Sequence, residues 1–279
     1  MSFEFVEFQP PPALRQLLRS SFFARGQIPY RFDKILPNGL AVAIFTLGEP
    51  HRLGKSPDAD TNPLFDHSWL HGIQTSPVYN MPLGETHVLG LLFEPLGLHA
   101  LFGLDMRLLK DVTVDARLHL PQDFVSGLEA LYPDASAGSA HNALHKRLAG
   151  RLSANTPDWL MRFCDRIVSS RGALRMDEAY LQTGRSARYV NQRFKTAVGV
   201  SPKVLGRICR LQALLEAIEP AHPIAWTELA HRFGFFDQPH FNREFRTFSG
   251  LSPRRYSAER SRQWPDIAKG ENVSFVPND

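Results

Sequence analysis

The strongest constraint on how this chain folds is an internal repeat in its C-terminal half. Ser186–Pro202 aligns without gaps to Asp237–Pro253, with identities at Asn191/Asn242, Phe194/Phe245, Thr196/Thr247, Gly199/Gly250, Ser201/Ser252 and Pro202/Pro253. Self-similarity of this kind marks a duplicated supersecondary unit, and both copies must satisfy the same local geometry.

Each copy reads as a helix, a turn and a second helix. In the later copy Ile224–Phe233 predicts a short helix with Leu229 and Ala230 inward, Gly234 supplies a left-handed stop, and Asp237 is placed to cap the next helix. The earlier copy repeats this with Met176–Thr183, Gly184 and Ser186. On the second helices Phe241, Phe245 and Phe248, and Val190, Phe194 and Ala197, recur at i, i+4, i+7, the spacing of a buried stripe. Ser201 and Pro202 start a helix that joins the copies and runs to about Ile218, roughly 25 Å at 1.5 Å per residue. Its apolar face is Ile208, Leu211, Leu215 and Ile218; Arg207 and Arg210 suit either phosphate contact or a structural ion pair, and Cys209 a small filler.

The outward faces carry the chemistry. Arg188, Asn191, Gln192 and Lys195 fall at i, i+3, i+4, i+7, and Pro239, Asn242, Arg243 and Arg246 occupy the equivalent positions. Arg pairs bidentately with guanine, and Asn or Gln with adenine, so such stripes suit a major groove. Exposed helix faces are usually polar without any partner, but here duplication and charge point the same way. Residues 1–155 hold 13 Lys/Arg against 15 Asp/Glu, and the remainder 19 against 13, so the halves carry −2 and +6. A basic surplus on one module is the electrostatic footprint of nucleic-acid binding. The reading assigns base contacts to Arg188, Asn191, Gln192, Gln238, His240, Asn242 and Arg243, and phosphate contacts to Ser186, Lys195 and Arg246.

From about residue 156 to 258 the chain resembles the DNA-binding domain of AraC/XylS-type transcriptional regulators, above all in Ala230–Phe245 followed by Gly250–Tyr256. Pro239 departs from the pattern, standing where the family usually has a small polar residue. The resemblance implies seven helices, with a long one joining the two motifs. A stiff joining helix of roughly 25 Å holds two recognition helices about one DNA turn apart, so that one chain can address two successive major grooves. At lower specificity, Leu36–Gly39, His71–Ile73 and Gly90–Gly97 resemble a cupin-like sensor domain found on some members, with Leu96 where a second Gly is usual. The partners implied are double-stranded DNA at a promoter or operator, a small-molecule effector, RNA polymerase and a second copy of the chain, without a membrane.

The N-terminal half is less explicit. Leu40–Leu47 and His87–Phe93 are β-branched and aromatic runs bounded by turn residues, Ser56–Pro63 reads as an exposed loop, and 122–132 and 139–152 have helical composition. A small sheet or barrel closed by helices fits. The fold class is therefore α+β: a β-rich sensing or dimerising domain over 1–153, an all-α DNA-binding domain over 156–260 beginning with a Thr156 cap and Pro157, and a loose tail over 261–279. Trp69, Tyr79 and His87 are candidates for lining an effector pocket. His51, His67, His71, His87 and His99 invite a metal site, but His67 and His71 lie on an apparent strand, about 13 Å apart over four residues. No metal or other cofactor is assigned, nor any catalytic residue.

Two cysteines, acidic residues near Met1 and no apolar run of membrane-spanning length predict a soluble cytoplasmic protein. A cupin-like metalloenzyme fused to a DNA-binding domain, or a regulator without a ligand, are the alternatives; a clustered metal triad or an activated nucleophile would mark the first.

Overall fold

The structure is a computed structural model that describes residues 3–28, 30–131, 136–151, 156–218, 224–263 and 275–278. The strands are β1 (Glu4–Phe8), β2 (Leu18–Gly26), β3 (Phe32–Ile35), β4 (Ala41–Thr46), β5 (His51–Gly54), β6 (Leu64–Phe65), β7 (Trp69–His71), β8 (Val78–Pro82), β9 (Thr86–Phe93), β10 (Thr113–Asp115) and β11 (Phe275–Asn278). They form two antiparallel sheets, ordered β1-β2-β9-β4-β7-β10 and β11-β3-β8-β5-β6. The expected strands at 40–47 and 87–93 are thus β4 and β9, and the expected loop at 56–63 holds a single 3-10 turn at Ala59–Thr61.

The larger sheet is apolar on both faces because it is covered on both. Ala24, Val42, Ile44, Trp69 and Val88 face Leu53, Phe65 and Val78 of the smaller sheet across a narrow core. Their strand neighbours, Phe23, Ala43, Phe45, Leu70 and Leu89, point the other way, as strand alternation requires. There they meet helices α1 (Gly97–Phe102), α2 (Gln122–Glu129) and α3 (Ala137–Ala149), through Leu98, Phe124, Leu128, Leu144 and Leu148.

Among the described residues the C-terminal half supplies helices α4 (Asp158–Ser169), α5 (Met176–Leu181), α6 (Ala187–Val198), α7 (Pro202–Glu216), α8 (Trp226–Arg232), α9 (Gln238–Ser249) and α10 (Pro253–Gln263). The α+β class holds: antiparallel sheets followed by helices. Residues 153–155 of the expected boundary lie outside the described residues. The cap there is shifted by one residue. Pro157, not Thr156, is the N-cap of α4, and the buried Thr156 hydroxyl finds no partner.

The two halves share a core. Leu36, Ile73 and Leu96 are buried in the same apolar cluster as Leu205, Ile208 and Phe194, and Gln212 Nε2 on α7 donates to the Pro37 carbonyl at 2.6 Å. The expectation of a loose tail over 261–279 is corrected at its end: Phe275–Asn278 pairs with β3 and extends the smaller sheet. An edge position tolerates Pro277, which has no N–H to contribute.

Candidate nucleic-acid interface

The repeat is built as two near-copies. Ser186 Oγ accepts from the Tyr189 N–H at 3.3 Å and Asp237 Oδ1 from the His240 N–H at 2.6 Å, so α6 and α9 are each capped by the residue the sequence nominates. Each ends at a left-handed glycine, Gly199 at φ 90° and Gly250 at φ 68°. Ser201 then caps α7 and Ser252 bonds the Arg255 N–H, so the copies match into the following helix. Val190, Phe194 and Ala197, and Phe241, Phe245 and Phe248, are buried as the periodicity requires. Cys164 is buried and Cys209 largely so; burial raises both thiols, Cys209 to about 12, which fits inert fillers.

On α6, Arg188, Gln192 and Lys195 are exposed, and on α9 so are Gln238, Asn242, Arg243 and Arg246. Beside the start of α6, the Arg185 guanidinium lies 4.9 Å over the Trp159 ring, which also packs on Tyr189. The apolar backs of α6 and α7 face the body of the protein and the N-terminal half, leaving these donors outward. At 1.5 Å per residue, α7 is about 22 Å long, a stiff connector between the motifs.

Two expected base contacts are otherwise engaged. Asn191 is half-buried: its Nδ2 donates to the Ala187 carbonyl at 2.8 Å and its Oδ1 accepts from the Tyr180 hydroxyl at 3.2 Å. A bidentate adenine contact needs both amide atoms, so Asn191 would have to release both partners to make one. The repeat-equivalent Asn242 is exposed. His240 is braced, its ring edge-on to Phe235 and its Nε2 3.7 Å from Glu244. Replacing Asn191 with alanine is expected to lower stability by about 1 kcal/mol while leaving the ranking of DNA sites unchanged. Urea melts and competition gel shifts check the two halves of that statement.

Arg207 and Arg210 are resolved as structural. Glu244, 6% exposed, accepts from Arg207 Nε at 2.9 Å and from Arg210 Nη2 at 2.7 Å, locking α9 to α7. Sequence reasoning missed Glu244, which sits between a candidate base reader and a core Phe. The signal was the pair of arginines three apart on α7, which needs an acid if it is to be buried.

Trp69, Tyr79 and His87 do not converge. Trp69 faces the space between the sheets, whereas His87 packs edge-on against Phe23 on the opposite face of the same sheet. Tyr79 follows the inward Val78 and so lies on the outer face of the smaller sheet, against Phe32 and Lys34. The other histidines are equally dispersed. His67 pairs with Asp66 and Asp115, His71 bonds the Gly72 carbonyl, and His99 bonds the Leu104 carbonyl. Among the described residues no three His, Cys, Asp or Glu side chains come together as metal ligands, and no helix is long and apolar enough to cross a membrane.

Comparison with known proteins bears on both halves. Residues 181–259 match the model of a helix-turn-helix domain, and residues 6–115 match a domain of unknown function (DUF6597). No curated protein matches the chain. Among solved structures, ToxT from Vibrio cholerae aligns at TM-score 0.44 and 11% identity, over 92% of this chain and 98% of ToxT. The C-terminal domain of AraT, a response regulator from Geobacillus stearothermophilus, aligns at TM-score 0.34 and 21% identity, over 42% of this chain and 98% of that domain. The AraC-like transcriptional activator CuxR aligns at TM-score 0.25 and 12% identity, over 76% of this chain and 95% of CuxR.

Proposed function

We propose that this chain, whose residues 181–259 form an AraC-type helix-turn-helix domain, is a sequence-specific transcription regulator whose N-terminal half senses a small molecule. The observation that carries the reading is the pair of capped helices, α6 and α9, presenting exposed donors on one side while their apolar sides are buried. In this reading Arg188 and Gln192 address one major groove and Gln238, Asn242 and Arg243 the next, with Ser186, Lys195 and Arg246 at phosphates. His240 positions the start of α9. No residue is assigned a catalytic role. The chain acts on RNA polymerase from a promoter site, and native mass spectrometry of the DNA complex distinguishes one bound chain from two.

Selection of sites from random duplexes, followed by footprinting, tests the reading: an asymmetric site of about two helical turns per chain is expected. Sequence-blind protection that only fades with salt would overturn it. Arg243→Ala is expected to weaken the selected site by about 1–3 kcal/mol and relax preference at one base position. Arg246→Ala should weaken all duplexes alike. Sensing is tested by measuring DNA affinity of the full chain with and without the small-molecule fraction of a cell extract; linkage requires that any effector shift it.

A further inference from the structure

Strand alternation decides which side chains enter the space between the sheets. Val78, Leu53 and Val88 belong to that core, and Asn80, His51 and Thr86, two residues away on the same strands, point the same way. Asp33 lies directly opposite Asn80 in the β3–β8 register. Asp33 and His51 are 3% exposed and Thr86 2%.

Hydrogen bonds fix what this cluster can accept. Asn80 Nδ2 donates to Asp33 Oδ2 at 3.4 Å, so Asn80 Oδ1 is the acceptor for His51 Nδ1 at 2.8 Å. The His51 proton therefore sits on Nδ1, and burial favours the neutral ring, which leaves Nε2 as a bare acceptor. Asp33 Oδ1, His51 Nε2 and Thr86 Oγ1 are all enclosed without a partner. Asn80 bonds the Asp33 carboxyl, but no cation among the described residues pairs with it; burial dominates and pushes it up to about 6. Lys34 points to the other face of the sheet, beside Tyr79 and Gly250.

A cleft of about 220 Å³ opens at this end of the sandwich, lined by Gln27, Ile28, Tyr30, Pro82, Leu83 and Gly84. It adjoins the cluster along the chain: Pro82, on its wall, is the register partner of His51 across β8 and β5, and Tyr30 precedes Asp33 by three residues. Ile28, Pro82 and Leu83 give the cleft apolar carbon beside polar atoms, the combination that small-molecule sites use.

We infer that this end of the sandwich binds a small organic ammonium ion, whose N–H groups donate to Asp33 with His51 and Thr86 as further acceptors, and whose carbon skeleton rests on Ile28, Pro82 and Leu83. The inference rests on the reading of the N-terminal half as a sensor and gives that sensor a ligand class. A neutral hydroxyl compound satisfies the acceptors but leaves the enclosed carboxylate without a counter-charge.

The test is isothermal titration of the full chain with phenethylammonium and ethylammonium, using 2-phenylethanol as the neutral counterpart. At least one ammonium should bind saturably and at least tenfold more tightly than the alcohol. Asp33→Asn should weaken it at least tenfold and Thr86→Val about threefold, with specific DNA binding retained as the measure of folding. Equal binding of the alcohol, wild-type ammonium binding by both folded variants, or no binding of either ammonium would overturn the inference. DNA titrations separate it from the sensor reading. An ammonium that binds without changing DNA affinity supports the site and removes it as the sensor. DNA affinity that responds to the extract while neither ammonium binds overturns the site and leaves sensing standing.

Discussion

Glu244→Ala is expected to lower the unfolding free energy by about 3–5 kcal/mol, because it strands two buried or half-buried guanidinium groups without their shared acid. Arg210 keeps 17% of its side chain exposed and Arg207 34%, so Arg207 can recover water while Arg210, held 4.4 Å over the Phe235 ring, cannot. The lower end of the range is therefore the expected value. Glu244→Gln preserves shape and one acceptor and should cost less. Urea denaturation followed by far-UV circular dichroism measures both. A loss below about 1 kcal/mol for Glu244→Ala would mean that the pair behaves as a surface ion pair, and that α9 is held on α7 by Phe241, Phe245 and Phe248 alone.

The second large effect separates two positions that the repeat makes equivalent. Gly199 and Gly250 both have positive φ, and alanine there costs about 1–2 kcal/mol from backbone strain alone. A Cβ on Gly250 meets only the flexible end of Lys34 and Pro77, at 3.5 Å or more. At Gly199 it would lie 2.7 Å from the Met106 carbonyl oxygen, in the 3-10 turn Met106–Leu109 of the N-terminal half. Overpacking against backbone adds about 1–3 kcal/mol. Gly199→Ala should therefore lower stability by about 2–5 kcal/mol and Gly250→Ala by about 1–2 kcal/mol. Thermal melts of the two variants check the difference; equal losses would show that the halves part easily at this contact.

The repeat was legible because its information is local. Caps at Ser186 and Asp237, stops at Gly199 and Gly250 and the phenylalanine period all lie within one helix length, so the second helices and the joining helix emerge from spacing alone. The N-terminal half is built from pairing between distant strands. Alternation places Trp69 and His87 each on one face of a strand, but only the register of β9, β4 and β7 shows that the faces are opposite. Asp33 and Lys34 stood unremarked in the sequence for the same reason: one points between the sheets and the other away from them. The hydrogen bonds of Asn191 were not legible because its partner, Tyr180, comes from the preceding helix, and its repeat-equivalent Asn242 gave no warning.

The pairing of β11 with β3 has a consequence for how the protein is made. β3 is synthesised well before β11, so its outer edge is closed by residues made after both helix-turn-helix motifs. Until then the smaller sheet presents unpaired N–H and C=O groups along that edge, a template for association with another chain. The smaller sheet thus depends on β11 to become self-limiting along that edge, and helices α4–α10 are, topologically, part of an insertion between two neighbouring strands of one sheet.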